Sequence, residues 1–136
     1  MLNRILSPLT EFAYAMFRIA FGLLFAFHGA QKHFGLLAEG PAPAYTTQVL
    51  VGGWIELVGG LMVMLGLGTR LAAFLCSGTM AVAYVQFHWD FATDDKFFPI
   101  VNKGEMALLY AFGFLLIACR GPGKASVDGL LARRSA

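Results

Sequence analysis

The sequence predicts an all-α protein, a transmembrane four-helix bundle with short connecting loops, and three observations lead there. Of 136 residues, 58% are hydrophobic and 13% charged, against about 45–50% and 25% in soluble domains. Four apolar runs, at about 10–31, 49–68, 71–88 and 101–119, have the length of membrane spans, since about 20 helical residues rising 1.5 Å each cover roughly 30 Å of hydrocarbon. The segments between them hold the turn formers and much of the charge. One membrane domain, 1–136, accounts for the whole length.

The first span starts near Ser7-Pro8, because proline is tolerated in the first turn of a helix. Met1 to Thr10 is too mixed for the apolar core of a cleavable signal, and no small-residue cleavage site follows it. Within the span, Arg18, Gly22, Phe25, Gly29 and Lys32 follow helical spacing and form a basic, small-residue stripe. Residues 32–48 read as a loop, with Glu39, Gly40, Pro41 and Pro43 at its centre.

The second span, Val49 to Gly68, contains a single ionisable group, Glu56. Gly52, Glu56 and Gly60 are four apart and are expected on one face, where the glycines leave room for a neighbouring helix. Gly66, Gly68, Thr69 and Arg70 make a tight turn into the third span, which ends with Gln86 and His88. Residues 89–100 mix aromatics with aspartates, as suits an interfacial loop. The fourth run opens with Asn102, Lys103, Gly104 and Glu105, and a polar, basic tail follows Arg120. Four spans put both termini on one side. That side carries six Lys and Arg residues against three on the other, which places the termini in the cytoplasm of a cell, or inner, membrane.

Several classes are excluded. A net charge of +2 without a basic patch does not suit nucleic acid. Cys76 and Cys119 are far apart and form no CxxC, so they define neither a disulfide scaffold nor a tetrahedral metal site. No Glu-x-x-His pair supports a carboxylate-bridged metal centre. No haem, flavin or iron–sulfur signal is present, so the chain itself carries no cofactor and electrons would come from a partner subunit or from substrate thiols.

A carboxylate inside a span costs about 2.5–3.5 kcal/mol on insertion scales and needs a partner. Arg18 is the expected partner of Glu56, and the pair either lines a cavity or only orders the bundle. A second cluster lies toward the other leaflet, with His28, Lys32, Gln86, His88, Asn102, Lys103 and Glu105. Lys32, Lys103 and His88 lie close enough to span ends to serve as ordinary anchors that reach water. An imidazole and a desolvated carboxylate also suit proton exchange with a quinone or thiol. The candidate ligand-binding set is therefore Arg18, His28, Lys32, Glu56, His88 and Glu105.

These residues together resemble the DoxX family of small four-helix membrane proteins. The resemblance is carried by Arg18 with Gly22, by His28-Gly29-x-x-Lys32, by Glu56 with Gly59-Gly60, by Gly66-x-Gly68-Thr69-Arg70, by Asn102-x-Gly104-Glu105 and by Gly121-Pro122-Gly123 with Ser126 and Asp128. It covers nearly the whole chain. Some members of the family are hydrophobic subunits of thiosulfate:quinone oxidoreductases, and others are linked to membrane complexes that handle thiol and oxidative stress. The resemblance implies a polar centre at Arg18, Glu56 and Glu105, with His28 and Lys32 above it, but it transfers no catalytic assignment. The expected function is that of a membrane subunit of a redox-linked quinone or thiol/sulfur oxidoreductase system. The alternatives are a non-enzymatic scaffold and a small-molecule transporter, and whether the chain is itself an enzyme stays open. Expected partners are lipid, a quinone or other small molecule, an oxidoreductase subunit and, through glycine-rich faces, a second copy of the chain.

Overall fold

A computed structural model describes residues 2–36 and 46–134, and among these the fold is entirely helical and turn. Three helices are long and apolar enough to cross a membrane: α1 (Leu2–Phe34), α2 (Thr47–Leu65) and α3 (Thr69–Trp89). A fourth apolar helix, α4 (Glu105–Arg120), has 16 residues and packs along α3. A short helix, α5 (Val127–Arg134), closes the chain. The architecture is the helical membrane bundle that the composition predicts. The turn residues Glu39, Gly40, Pro41 and Pro43 lie outside the described residues.

The helix boundaries differ from the expected spans for local reasons. Pro8 sits in a 3-10 turn, Ser7–Leu9, whose neighbours stay helical, so α1 begins well before residue 10. At its other end α1 runs through Lys32 and His33 until Gly35, at φ +62°, stops it. The fourth run is broken by Lys103, at φ +60°, so the continuous helix starts at Glu105 rather than near 101.

Two antiparallel pairs, α1–α2 and α3–α4, make the bundle. In the first, backbones meet. A Cβ on Gly22 would lie 2.5 Å from Gly60 O, one on Gly60 would lie 2.7 Å from Gly22 O, and one on Gly29 would lie 2.5 Å from Gly53 O. The glycine faces are therefore used within the chain, between α1 and α2. Between α1 and α4 the gap is filled by rings, with Phe21 and Phe25 each within about 5 Å of Tyr110 and Phe114.

At the end of the bundle that carries both chain termini, arginines and an aspartate replace missing helix caps. The last carbonyls of a helix have no partner within it. Arg70 donates to Ala118 O at 2.8 Å and Cys119 O at 2.6 Å, closing α4. At the start of α3, Asp128 Oδ1 accepts from Gly68 N at 2.8 Å, and Oδ2 accepts from Thr69 N at 2.9 Å and Thr69 Oγ1 at 2.8 Å. Asp128 is thus an N-cap contributed by another helix, and it docks α5 on the α2–α3 turn. Burial alone would raise the Asp128 carboxyl, but the Thr69 and Gly68 donors and the Arg18 charge outweigh it and hold the carboxyl below its ordinary 3.8.

A carboxyl depressed by folding adds stability above its unfolded value and loses it as pH falls through the folded one. Asp128→Asn should therefore cost about 1 kcal/mol at neutral pH, because the amide keeps one acceptor oxygen but loses the charge and the second acceptor. The difference between wild type and variant should vanish below the normal aspartate range. Thermal melts across pH 2.5–7 check this, and a pH-independent difference would contradict it.

Candidate functional site

Arg18 and Glu56 do not meet. Arg18, only 1% exposed, donates through Nη1 to Val63 O at 2.5 Å and Met64 O at 2.7 Å, and through Nη2 to Ala125 O at 2.5 Å. Val63 and Met64 lie seven and eight residues beyond Glu56 in α2, roughly 11 Å along the axis. The expected pairing fails because Gly66, at φ +72°, ends α2 in a Schellman-type cap, with Leu67 N on Met62 O at 2.9 Å. The carbonyls left at that end hold the guanidinium. Arg18 is a helix clamp that also ties down the chain entering α5.

The partner of Glu56 is Lys32, whose Nζ donates to Oε1 at 2.5 Å. The glutamate side chain is 6% exposed and the lysine 34%, so the lysine brings the charge from a wetter level of the bundle. Glu56 Oε2 is buried and accepts from no group among the described residues. Both partners line a cavity of about 530 Å³ between α2 and α3, together with Gln48, Thr79 and His88. Gln48 donates to Gln86 across its upper end. The remaining wall is apolar, including Ile55, Leu75 and Met80. The volume falls within the about 300–1,000 Å³ of small-molecule sites, whose walls are likewise apolar with a few placed polar groups.

Two features open this space. Gly52 and Gly78 both line it, and a Cβ on Gly78 would meet nothing within 4 Å. In addition, α2 is locally widened to a π-turn at Ile55–Gly59 and α3 at Tyr84–Trp89, placing Glu56 and His88 on such turns. A π-turn inserts one residue into the helical ladder and often marks a functional site. It also corrects the face expected from four-residue spacing: Gly53 and Gly60 pack against α1, whereas Gly52 turns to the cavity. Rim residues Val51, Phe74, Val82 and Phe87 are exposed, so the cavity opens sideways, toward hydrocarbon in a bilayer.

The other candidates are dispersed. His28 is exposed and meets the edge of Tyr110 at 5.8 Å between centroids, away from the cavity lining. Glu105 is exposed at the start of α4. His88 does join Lys32 and Glu56 in the cavity wall, and its Nδ1 lies 3.2 Å from Asn102 O. Cys76 is buried against Gly59 and weakly bonds Ile55 O at 3.8 Å, while Cys119 is exposed. Among the described residues, no cluster of three or more His, Cys, Asp or Glu could hold a metal ion. Sequence reasoning missed Gln48, Thr79 and Gly78 as cavity residues; a glycine facing open space in the third span was the one available signal.

Comparison with known proteins accords with this geometry. The DoxX family model matches residues 13–89, more than half of the chain, and includes Arg18, Lys32, Glu56 and His88. The chain belongs to the DoxX family. It is 38% identical over 117 residues to an uncharacterized protein of Haemophilus influenzae, covering 84% of this chain and 87% of that one. It is 32% identical over 80 residues to the inner membrane protein YqjF of Escherichia coli, covering 59% and 58%. No solved structure matches the chain. As a DoxX protein with membrane-length helices, it is a membrane protein.

Proposed function

We propose that this DoxX protein is an inner-membrane subunit of a redox-linked quinone or thiol/sulfur oxidoreductase system, and that the α2–α3 cavity receives the polar head of a lipid-soluble quinone. The observation that carries this reading is an ion pair set in the wall of a laterally open, mainly apolar cavity. A quinone reaches its site through the bilayer, so it needs a side entrance. Its head needs polar groups at the end of an apolar slot, and Lys32, Glu56 and His88 stand there. Lys32 orients an oxygen, and Glu56 and His88 exchange protons with it. Electrons enter from a partner subunit or from substrate thiols.

In this reading α4 is the fourth span, and both termini face the cytoplasm by the charge balance of the loops. Glu11 and Arg120, paired at 2.5 Å, put the two terminal segments at one end, in keeping with an even number of spans.

Gly78→Leu tests the site. The new side chain has open space to enter and would fill part of the cavity without touching the α1–α2 contact. In nanodiscs, decylubiquinone should bind wild type, read as quenching of the two tryptophans, Trp89 beside the cavity residue His88 and Trp54 on an adjoining apolar cavity of about 350 Å³. Binding should weaken at least tenfold in the variant with its melting temperature unchanged. Equal binding by both proteins would place the quinone elsewhere.

A scaffold role is the second reading, favoured by Arg18, whose guanidinium is bound to three backbone carbonyls and lies outside the cavity lining.

A further inference from the structure

The polar groups in the cavity wall differ in what they have left to offer. Gln48 is bonded to Gln86, and the Thr79 hydroxyl donates to Leu75 O at 2.9 Å. A carbonyl oxygen only accepts, so the contact between His88 Nδ1 and Asn102 O makes Nδ1 the donor and leaves Nε2 of a neutral ring as an acceptor. Glu56 spends Oε1 on Lys32, and its Oε2 is buried without a donor among the described residues. A buried acceptor left unmet is costly. The terminal torsion of a glutamate is broad, so the carboxylate can turn toward a ligand without rebuilding the helix. With that turn the space gains an acceptor at Glu56, with the spare N–H groups of Lys32 beside it and His88 in the same wall.

We infer that this cavity recognises its ligand through a hydroxyl, and so takes a quinol in preference to the corresponding quinone. The inference rests on the quinone reading above and adds the redox form. A hydroxyl donates to Glu56 and at the same time accepts from Lys32. A carbonyl accepts from Lys32 alone and sets its oxygen against the carboxylate with no proton between them. Lys32 loses little either way, because it is partly exposed and can bond water, whereas Glu56 gains the donor it lacks.

The test is equilibrium binding to the full chain in nanodiscs under anaerobic conditions. The ligands are decylubiquinol, decylubiquinone and the quinol with both hydroxyls methylated. The quinol should bind at least tenfold more tightly than either of the others. Glu56→Gln keeps an oxygen for Lys32 and adds an N–H that suits a carbonyl, so it should bring quinol and quinone within about threefold. The wild-type comparison decides even if that variant folds poorly. Equal affinity for all three ligands, as when water already serves Oε2, overturns the inference and leaves the quinone site standing. Tighter binding of the quinone does the same. Binding of none of them overturns both.

Discussion

Arg18→Met should destabilise the protein by about 3–5 kcal/mol, because each buried carbonyl left without its donor costs about 1–3 kcal/mol. The methionine would fill similar volume, so the loss isolates the hydrogen bonds. Val63 O, Met64 O and Ala125 O would each lose a charge-assisted donor in a region that water does not reach freely. Val63 O keeps the weaker bond from Gly66 N at 3.1 Å, but the chain entering α5 would lose this hydrogen bond to α1. Arg18→Lys should recover only part of the loss, because one ammonium on a flexible stem cannot present two nitrogens in a fixed fork to three carbonyls. Unfolding in mixed micelles, followed by helical circular dichroism, measures both variants. A lysine variant as stable as wild type would show that charge alone suffices and that the fork is dispensable.

The same logic acts twice in the bundle. Arg18, in α1, closes the end of α2, and Arg70, in α3, closes the end of α4. Each antiparallel pair is stapled at the same end by an arginine on its first helix. This gives the two arginines, and the Gly66 and Gly121 turns beside them, a physical reason that requires no ligand.

The contrast between Arg18 and Glu56 shows what was legible in the residues. A lone carboxylate in a twenty-residue apolar run had to be buried, and Glu56 is 5% exposed. The partner of Arg18 was not legible, because its acceptors are backbone carbonyls that every residue possesses. Only Gly66, which stops α2 and leaves those carbonyls open, hinted at them. Lys32 was expected at the mouth of a loop, yet α1 continues to Phe34 and holds it within reach of Glu56. A cavity at Glu56 was expected, but its place between α2 and α3, away from Arg18 and Glu105, was not legible, because π-turns arise from one extra residue in a ladder and leave no periodic mark. His28 was expected in the second polar cluster but lies on the exposed α1 surface beside Tyr110, since Phe21 and Phe25 fill the space between α1 and α4.

The second large effect is expected at Lys32, and its asymmetry is the informative part. Lys32→Ala should cost about 3 kcal/mol, because it strands a carboxylate that is 6% exposed and has no other donor among the described residues. Glu56→Gln should cost less, about 1 kcal/mol, since the amide still accepts from Lys32 and the lysine, 34% exposed, can turn part of its charge to water. In the double variant the stranded charge is gone, so Lys32→Ala should become nearly neutral, a coupling of about 3 kcal/mol in a double-mutant cycle. Unfolding measurements on the four proteins give this cycle directly. If the two single losses simply add, the pair is a surface contact of the kind that contributes little, and the charged wall of the cavity is not held by it. If they couple as expected, the lysine is what keeps a charged glutamate at that depth, the condition that the proposed proton exchange requires.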